Sequence, residues 1–593
     1  MSITQKSLPD VATDWPFVKL RTLRALVRAD EIWLAILVAG IGALAGLGVV
    51  FVNTIASLMH QRLFLLQAGQ GISDSAALTP SRAFGVPVLG GVALGLFGSA
   101  ISRLKLRKMI DPVEANALYG GRMSLSDSLI ITVQTTWSNG VGASVGMEAG
   151  YAQFGAGIAS RIGRMFQLRR SDLRLLVGCG AAAAIGGAFN APLCGAFYGI
   201  ELIMGVYSIV TLPFVVIAAL AGTLTVQMLL GPTAPLNVTL PATVPASVYP
   251  AVLALGVACG LLGIVIMRGV TLIEAGFRHS HIPAWARPAF GGVVVGAIGC
   301  ITPSAMSSGH SALHADINAT FPWMVALALL LLKATASAFS IGAGFRGGLF
   351  FASLFMGVLF GKVFAGIVGF LPFIPPMPNG FYAVVGMSAL AVAIVGGPMT
   401  MTFLALESTA NFSVTMAVLA ASIVAAITVR RLFGYSFSTW RFHLKGKAIR
   451  SAADIGWLQM LTVGRMMRKY QQSVDRAMSL VDFRREFPLG AAQRVIVTGP
   501  NGSYAGMAYP AEACALDNAT GTVEDILHQQ VKFLLPDMTV KEALSTFEAA
   551  EADAVVVLDG PETRQILGLL TEQYALRRYS EELDRRRREH FGE

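Results

Sequence analysis

A single acidic residue, Glu148, stands in the stretch NGVGASVGMEAGYAQFGAG, which consists almost entirely of glycine, alanine and apolar residues. An ionised carboxylate is costly in such surroundings unless something stabilises it. Acidic residues inside apolar segments of membrane proteins are functional by default, and a structural carboxylate that caps a helix is the alternative. The chemistry open to Glu148 is proton binding and, because the carboxylate is itself an anion, the occupation of an anion site.

The surroundings of this carboxylate occur twice in the chain. The segment SNGVGASVGME from Ser138 shares a serine and three glycines, at the same offsets, with SIGAGFRGGLF from Ser340. A second pair of segments, from Gly180 and from Gly386, shares the pattern glycine, eleven residues, proline, eight residues, glutamate. The two pairs are 202 residues (138 to 340) and 206 residues (180 to 386) apart. The chain is therefore predicted to contain two structural repeats.

We place these repeats at about 80–230 and 287–430. Repeats in transporters are often inverted, with the substrate site at their interface. In each repeat a glycine-rich turn leads into an apolar helix, predicted to start near Met147 or near Leu349. Backbone N–H groups and the helix dipole at two converging helix starts would bind an anion and still release it. Glu148 would then act as a gate that occupies the site when ionised and leaves it when protonated or displaced.

The composition predicts that these elements lie in a membrane. Of the 593 residues, 54% are hydrophobic and 13% are charged, whereas soluble domains carry about 25% charged residues. Apolar stretches recur from residue 32 to about 428, several are long enough to span a bilayer, and many contain glycine or proline. Interrupted helices are tolerated in a membrane where protein or a watery cavity satisfies the freed backbone, which favours a transporter or channel.

The distribution of charge predicts the orientation and the partners. The net charge is +10, and the basic residues gather at the ends of apolar runs. This is the positive-inside pattern, so we expect contact with membrane lipids and no nucleic-acid partner. We predict a multi-pass α-helical protein of a bacterial inner membrane, with a cytosolic segment 1–30, a membrane domain 31–450 and both termini in the cytosol. The five cysteines show no metal-binding or redox spacing, and His281, His310 and His314 form no convincing metal set.

Four segments in the same order resemble the CLC family of chloride channels and proton/chloride exchangers, over residues from about 32 to 450. They are GMEAGYAQFGAGIA, GAAAAIGGAFNAPLCGAFYGIEL, KATASAFSIGAGFRGGLFFASLFMG and VGMSALAVAIVGGPMTMTFLALESTANF. The resemblance implies a CLC-type fold with inverted repeats, a homodimer with one pore per subunit, chloride as the ligand, no required cofactor and no enzymatic activity. It also implies that Glu148 is the external gating glutamate. Backbone amides of Met147, Glu148, Leu349 and Phe350 would hold the anion.

The sequence departs from the family at three positions of the pathway. Met109 takes the place of a pore serine, and Ser438 takes the place of a pore tyrosine. Leu202 stands where exchangers carry a second, inner glutamate. Passive conduction and proton-coupled exchange therefore both stay open, and fluoride or nitrate are alternatives to chloride. A cation-coupled transporter of organic solutes is a further alternative, whereas an intramembrane hydrolase would need a catalytic constellation that we do not find.

Three more charged residues lie in apolar segments. Glu201 and Glu407 occupy equivalent places in the two repeats, which favours a shared structural role over a role in transport. Lys333 lies in LALLLLKATASAF, where it could add positive potential to a pore. Its long side chain could equally snorkel to a membrane interface.

The composition becomes that of a soluble domain after residue 450. The segments AAQRVIVTGPNGSYAGMAYPAEA and EADAVVVLDGPETRQILGLLTEQYAL each predict a strand, a turn, a second strand and a helix. Residues 451–582 resemble a pair of small α+β CBS domains, which implies a cytosolic module that binds adenine nucleotide or serves dimerisation. An amphipathic helix is predicted to start after Asp537 or Thr539. Residues 583–593 form a charged tail, either helical or disordered.

Overall fold

In a computed structural model of the chain, the described residues are 31–591, with gaps at 68, 74, 76–77, 105–108, 232–235, 237, 373, 445–460, 470–472 and 517–520. The chain divides into two compact units at residues 454 and 455. The predicted cytosolic segment 1–30 lies outside the described residues, as do residues 592–593 of the predicted tail.

The described residues of the first unit are helical. Eight of their helices are long and apolar enough to cross a membrane, which confirms the predicted polytopic fold. The α-helices are α1 Glu31–Phe64, α2 Pro80–Leu104, α3 Pro112–Leu118, α4 Leu125–Gly140, α5 Glu148–Met165, α6 Arg170–Phe189, α7 Pro192–Tyr198, α8 Leu212–Leu230, α9 Tyr249–His279, α10 Arg287–Ile301, α11 His310–Asp316, α12 Trp323–Ala343, α13 Phe350–Val368, α14 Asn379–Val395, α15 Pro398–Thr409, α16 Phe412–Leu432 and α17 Phe437–Leu444. Shorter turns are the π-helical Gly199–Met204 and the 3-10 helices Ala246–Val248 and Pro303–Ala305.

Two long apolar stretches are each broken into a long and a short helix. After α6, Asn190 adopts a left-handed conformation (φ 54°), and α7 starts at Pro192. After α14, Gly396 and Gly397 have φ 91° and 75°, and α15 starts at Pro398. Residues with positive φ end helices, and proline fits the first turn of a new one. The starts of α7 and α15 are thereby fixed at equivalent places in the two repeats.

The two repeats show the same order of helices. The series α2, α4, α5, α6, α7 and α8 corresponds to α10, α12, α13, α14, α15 and α16, and the repeats pack together through α2 on α10 and through α7 on α15. A Cβ added at Gly91 would overlap the carbonyl oxygen of Pro288, and one at Gly292 would overlap that of Pro87. Each contact is the symmetry equivalent of the other, so α2 and α10 approach closely because both contact points are glycine.

The second unit combines small sheets with short helices. Its elements are α18 Val463–Met466, β1 Ser473–Asp475, α19 Leu480–Glu486, β2 Val495–Thr498, β3 Tyr504–Ala508, α20 Pro510–Ala515, α21 Val540–Ala550, β4 Ala554–Leu558, β5 Ile566–Thr571 and α22 Glu572–Phe591, with 3-10 turns Pro500–Gly502 and Val523–Ile526. Strand β2 pairs with β1 in parallel and with β3 antiparallel, and β4 pairs with β5 antiparallel.

The two segments predicted as strand, turn, strand and helix are both present in the second unit. They form the hairpins β2–β3 and β4–β5, followed by α20 and α22. The predicted amphipathic helix is α21. It starts after Thr539, whose hydroxyl accepts from the backbone of Glu542 while the Glu542 side chain accepts from Thr539 N–H. The charged segment at the end is helical up to Phe591.

Candidate anion site between the two repeats

The glycine-rich turns of the two repeats meet in an antiparallel bridge. Gly146 N–H donates to the carbonyl of Gly348 at 2.9 Å, and Gly348 N–H donates to the carbonyl of Gly146 at 3.2 Å. Two residues beyond each glycine a helix begins, α5 at Glu148 and α13 at Phe350. The predicted helix starts near Met147 and Leu349 are therefore confirmed, and the bridge holds the two helix N-termini beside each other.

Two serine side chains form hydrogen bonds between the turns of the two repeats. Ser138 Oγ accepts a hydrogen bond from Arg346 N–H at 3.1 Å, and Ser340 Oγ accepts one from Ser144 N–H at 3.0 Å. Each bond is related to the other by the repeat offset of 202 residues. The sequence identified Ser138 and Ser340 as matching residues, but it gave no signal that each one bonds to the opposite repeat.

Glu148 reaches from its own helix start to the start of the other helix. Its Oε1 accepts a hydrogen bond from Phe350 N–H at 2.7 Å. The side chain is buried, and Oε2 has no hydrogen-bond partner among the described residues. The carboxylate thus lies where two helix N-termini favour negative charge, which is where a free anion would bind.

The four residues predicted to offer backbone amides lie together at these helix starts. Met147 is the N-cap of α5 and is half-buried, whereas Leu349, the N-cap of α13, is buried. Glu148 and Phe350 are the first residues of the two helices and are buried as well. N–H groups in the first turn of a helix have no carbonyl partner within the helix, so they can donate to an anion, as Phe350 N–H does to the Glu148 carboxylate.

Aromatic side chains pack around Phe350 at the site. The ring centroid of Phe189, at the end of α6, is 4.7 Å from that of Phe350, and the centroid of Tyr198, at the end of α7, is 6.1 Å away. Phe189 also stacks on Phe351 at 4.2 Å. The sequence analysis missed Phe189 and Tyr198. The glycine and proline pattern around these two residues indicated a break between helices. It did not indicate that this break lies close to Phe350 of the other repeat.

Helix α1 supports the Glu148 side of the site from outside the repeats. The Tyr151 hydroxyl, one turn after Glu148, bonds to Asn53 Oδ1 and lies 3.6 Å from Met147 Sδ. His60, also on α1, bonds to the carbonyl of Asn139 at 3.1 Å. These contacts were not predicted, because α1 precedes both repeats.

Two further residues, Met109 and Ser438, were predicted to bind the anion. Met109 is half-buried in the chain before α3, and the carbonyl of its neighbour Ile110 accepts from Gln153 Nε2 of α5 at 3.0 Å. This places the segment beside the helix that starts with Glu148. Ser438 lies in α17, and its side chain is outside the described residues. The roles of Met109 and Ser438 as anion ligands stay predictions.

Two glutamates cap short helices of the opposite repeat. Glu407 accepts hydrogen bonds from the N-terminus of α7, including Leu193 N–H at 2.7 Å. Glu201 accepts the equivalent bonds from the N-terminus of α15, including Thr400 N–H at 2.8 Å. Donors and acceptors are both related by 206 residues. This geometry supports the predicted structural role of the pair.

Lys333 does not reach a membrane interface. Its side chain is buried, and the Nζ atom donates to three successive backbone carbonyls, those of Ala305, Met306 and Ser307, at 3.2, 3.4 and 2.8 Å. The snorkelling prediction is therefore wrong. A turn of chain folds against the lysine and satisfies its ammonium locally, so the side chain need not extend to water.

The fold and the site together define a class, that of inverted-repeat membrane transport proteins with paired helix N-termini at the repeat interface. The family described as voltage gated chloride channel matches residues 90–430. A ClcB-like chloride channel protein of Ralstonia nicotianae is 30% identical over 378 residues, which are 63% of this chain and 88% of that protein. The chain belongs to the voltage-gated chloride channel family, also called CLC, and is an integral membrane protein.

Solved structures show the same fold. A slow cyanobacterial Cl−/H+ antiporter matches with a TM-score of 0.61 at 21% sequence identity, over 69% of this chain and 96% of that one. A eukaryotic CLC transporter matches with a TM-score of 0.60 at 17% identity, over 94% of this chain and 98% of that one. The second match extends beyond the membrane unit, so the likeness in fold includes the second unit.

Proposed function

We propose that this protein carries chloride across the membrane and that Glu148 gates the pathway. The observation that carries the proposal is the position of the Glu148 carboxylate on the N–H group of Phe350, between two helix N-termini that come from opposite repeats. The family membership and the chloride channel relative support chloride as the transported ion.

The gate works by competition for one site. An ionised carboxylate fills the site and blocks the path, whereas a protonated carboxyl has lost the charge that the helix ends attract, and it gives way to a free anion. Phe350 N–H donates to the carboxylate at 2.7 Å, at the position that a free anion would take. Flux is therefore expected to rise as the external pH falls.

The anion is held by the backbone amides of Met147, Glu148, Leu349 and Phe350. Further along the pathway, Met109 and Ser438 stand in place of the family's serine and tyrosine. A methionine donates no hydrogen bond, so this pathway relies on backbone N–H groups more than the family's pattern does. Fluoride and nitrate are the alternative ions to test.

One residue, Leu202, favours passive conduction over proton exchange. Leu202, at the position of the exchangers' inner glutamate, cannot bind a proton, so no carboxylate at that position receives the proton that Glu148 releases. Uphill proton movement driven by a chloride gradient in proteoliposomes would establish exchange instead.

The test of the gate is anion flux from proteoliposomes at several external pH values, for chloride, fluoride and nitrate separately. Glu148→Ala and Glu148→Gln are expected to retain chloride flux and to lose its pH dependence. Glu524→Gln is the control, because the Glu524 carboxylate pairs with Arg476 at 3.6 Å in the second unit. Unchanged pH dependence in both Glu148 variants would contradict the proposal, and uptake of an organic solute without anion flux would replace it.

We also propose that the protein is a homodimer in which residues 31–450 form the membrane domain and residues 451–582 form a pair of cytosolic CBS domains. The two hairpins, each followed by a helix, support this assignment of the second unit. Adenine nucleotide is the ligand to test there. Crosslinking of the purified protein measures the oligomeric state, and a shift in thermal midpoint on adding ATP measures nucleotide binding.

A further inference from the structure

The glycines of the bridge, Gly146 and Gly348, face the gate carboxylate from opposite sides. A Cβ added at Gly146 would overlap Glu148 Oε2 and lie 2.7 Å from the carboxylate carbon. A Cβ added at Gly348 would overlap Oε1 and lie 2.9 Å from the same carbon. At both positions the three nearest heavy atoms all belong to Glu148.

No backbone requirement explains these two glycines. Neither has a positive φ, so a side chain could be accommodated by the main chain at either position. Other glycines of the same turns have different reasons. Gly142 has φ 87°, and a Cβ at Gly347 would meet Val145 Cβ at 2.6 Å and not the carboxylate. At Gly146 and Gly348, by contrast, the three atoms nearest to an added Cβ all belong to Glu148.

We infer that Gly146 and Gly348 are positioning residues that form the seat of the gate, one contributed by each repeat. The seat consists of the two glycines and the N–H group of Phe350. The Glu148 carboxylate fills the seat, and a methyl group on either glycine would overlap one of its oxygens. This inference rests on the proposed gating by Glu148 and specifies how the closed gate is held.

The arrangement explains why the carboxylate can be seated with one hydrogen bond. The bridge between Gly146 and Gly348 fixes the separation of the seat's two walls through bonds of 2.9 and 3.2 Å. The carboxylate therefore occupies a gap of defined width at the two helix N-termini, and no cationic side chain is needed to hold it. Any residue larger than glycine at position 146 or 348 would fill the gap with its side chain, and the Glu148 carboxylate would have to leave it.

The experiment compares Gly146→Ala and Gly348→Ala in two backgrounds, the native chain and Glu148→Ala, in full-length protein. In the native background each alanine is expected to abolish the pH dependence of chloride flux and to lower the thermal midpoint, because the carboxylate is forced out of its seat. In the Glu148→Ala background the same alanines are expected to leave the midpoint at that of Glu148→Ala alone, because the clashing atoms are gone.

Two control variants separate seating from packing. Gly256→Ala, on α9, would place a Cβ 2.6 Å from the carbonyl oxygen of Ala421 on α16, so it should lower the midpoint in both backgrounds and retain pH dependence when Glu148 is present. Gly98→Ala, on α2, meets no atom within 4 Å, so it should neither lower the midpoint nor change the pH dependence of flux. If a glycine variant of the seat does not fold in the native background, its combination with Glu148→Ala is still expected to fold.

The outcomes for the gate and for the seat are distinguishable. If Glu148→Ala itself retains pH dependence, the proposed function fails. If Glu148→Ala loses it while Gly146→Ala and Gly348→Ala keep it, the seat is wrong and the gate stands. Equal destabilisation by the alanines in both backgrounds, or failure of the combined variants to fold, also overturns the seat, since the glycines would then serve packing.

Discussion

Lys333 and Glu148 are both ionisable and both buried, but the protein compensates them differently. The ammonium of Lys333 donates to three backbone carbonyls, whereas the carboxylate of Glu148 accepts one described hydrogen bond and keeps an unpaired oxygen. The three carbonyl bonds support a structural role for Lys333, whereas the position of Glu148 at the start of α13 supports its proposed role as the gate.

Replacing Lys333 by methionine tests the structural assignment. Lys333→Met keeps a long side chain and removes the donor, which leaves the carbonyls of residues 305–307 without it. We expect a loss of about 1–3 kcal/mol of stability, measured as a lower thermal midpoint of the purified protein. Lys532→Met, at an exposed lysine of the second unit, is the control. Equal midpoints for the two variants would show that the three carbonyl bonds contribute nothing.

At the scale of elements, the short helices α7 and α15 depend on glutamates supplied by the opposite repeat. Each glutamate places a negative charge on helix N–H groups, which satisfies donors and matches the dipole. Glu201 has more partners than Glu407, since it also accepts from Thr400 Oγ1 at 2.7 Å and from the Tyr207 hydroxyl. The two caps are therefore equivalent in position and unequal in strength.

This inequality predicts the order of two variants. Glu407→Gln and Glu201→Gln should each lower stability by about 0.5–2 kcal/mol, with the larger loss at Glu201, because an amide presents one acceptor oxygen where the carboxylate presents two. Thermal midpoints of both variants measure the losses. Tyr207→Phe removes one of the additional bonds to Glu201 and should account for some of the difference. A larger loss at Glu407 would contradict this account of the caps.

The elements were more predictable from the sequence than their contacts. Glycine-rich turns before apolar runs gave the starts of α5 and α13, and Pro192 and Pro398 matched the starts of α7 and α15, because these signals act on the local backbone. The bond from Ser138 to Arg346 joins residues 208 apart, and it exists because the repeats face each other. The position of Lys333 was missed for a similar reason, since its carbonyl partners belong to a turn before α11.

The whole membrane unit is organised by the relation between its two repeats. The pairs of contacts at the seat, at the serines, at the helix caps and between α2 and α10 each join one repeat to the other in equivalent ways. An anion site at such an interface receives one helix N-terminus from each repeat. Neither repeat alone could build it, so the site depends on the closeness of the repeats.

The contact of α2 with α10 tests this dependence at the largest scale. Gly91→Val and Gly292→Val each insert a side chain against a carbonyl of the opposite helix, where a Cβ would lie 2.7 Å from the carbonyl carbon in both cases. Overpacking costs about 1–3 kcal/mol, and equivalent geometry predicts equal losses in thermal midpoint for the two variants. Gly98→Val, at an open position of α2, should cost much less. Because the atoms nearest to either added Cβ belong to the opposite helix and not to Glu148, both variants should also reduce flux without removing its pH dependence. Unequal losses would show that the two-fold relation does not govern packing, and a loss of pH dependence would show that strain between α2 and α10 reaches the seat.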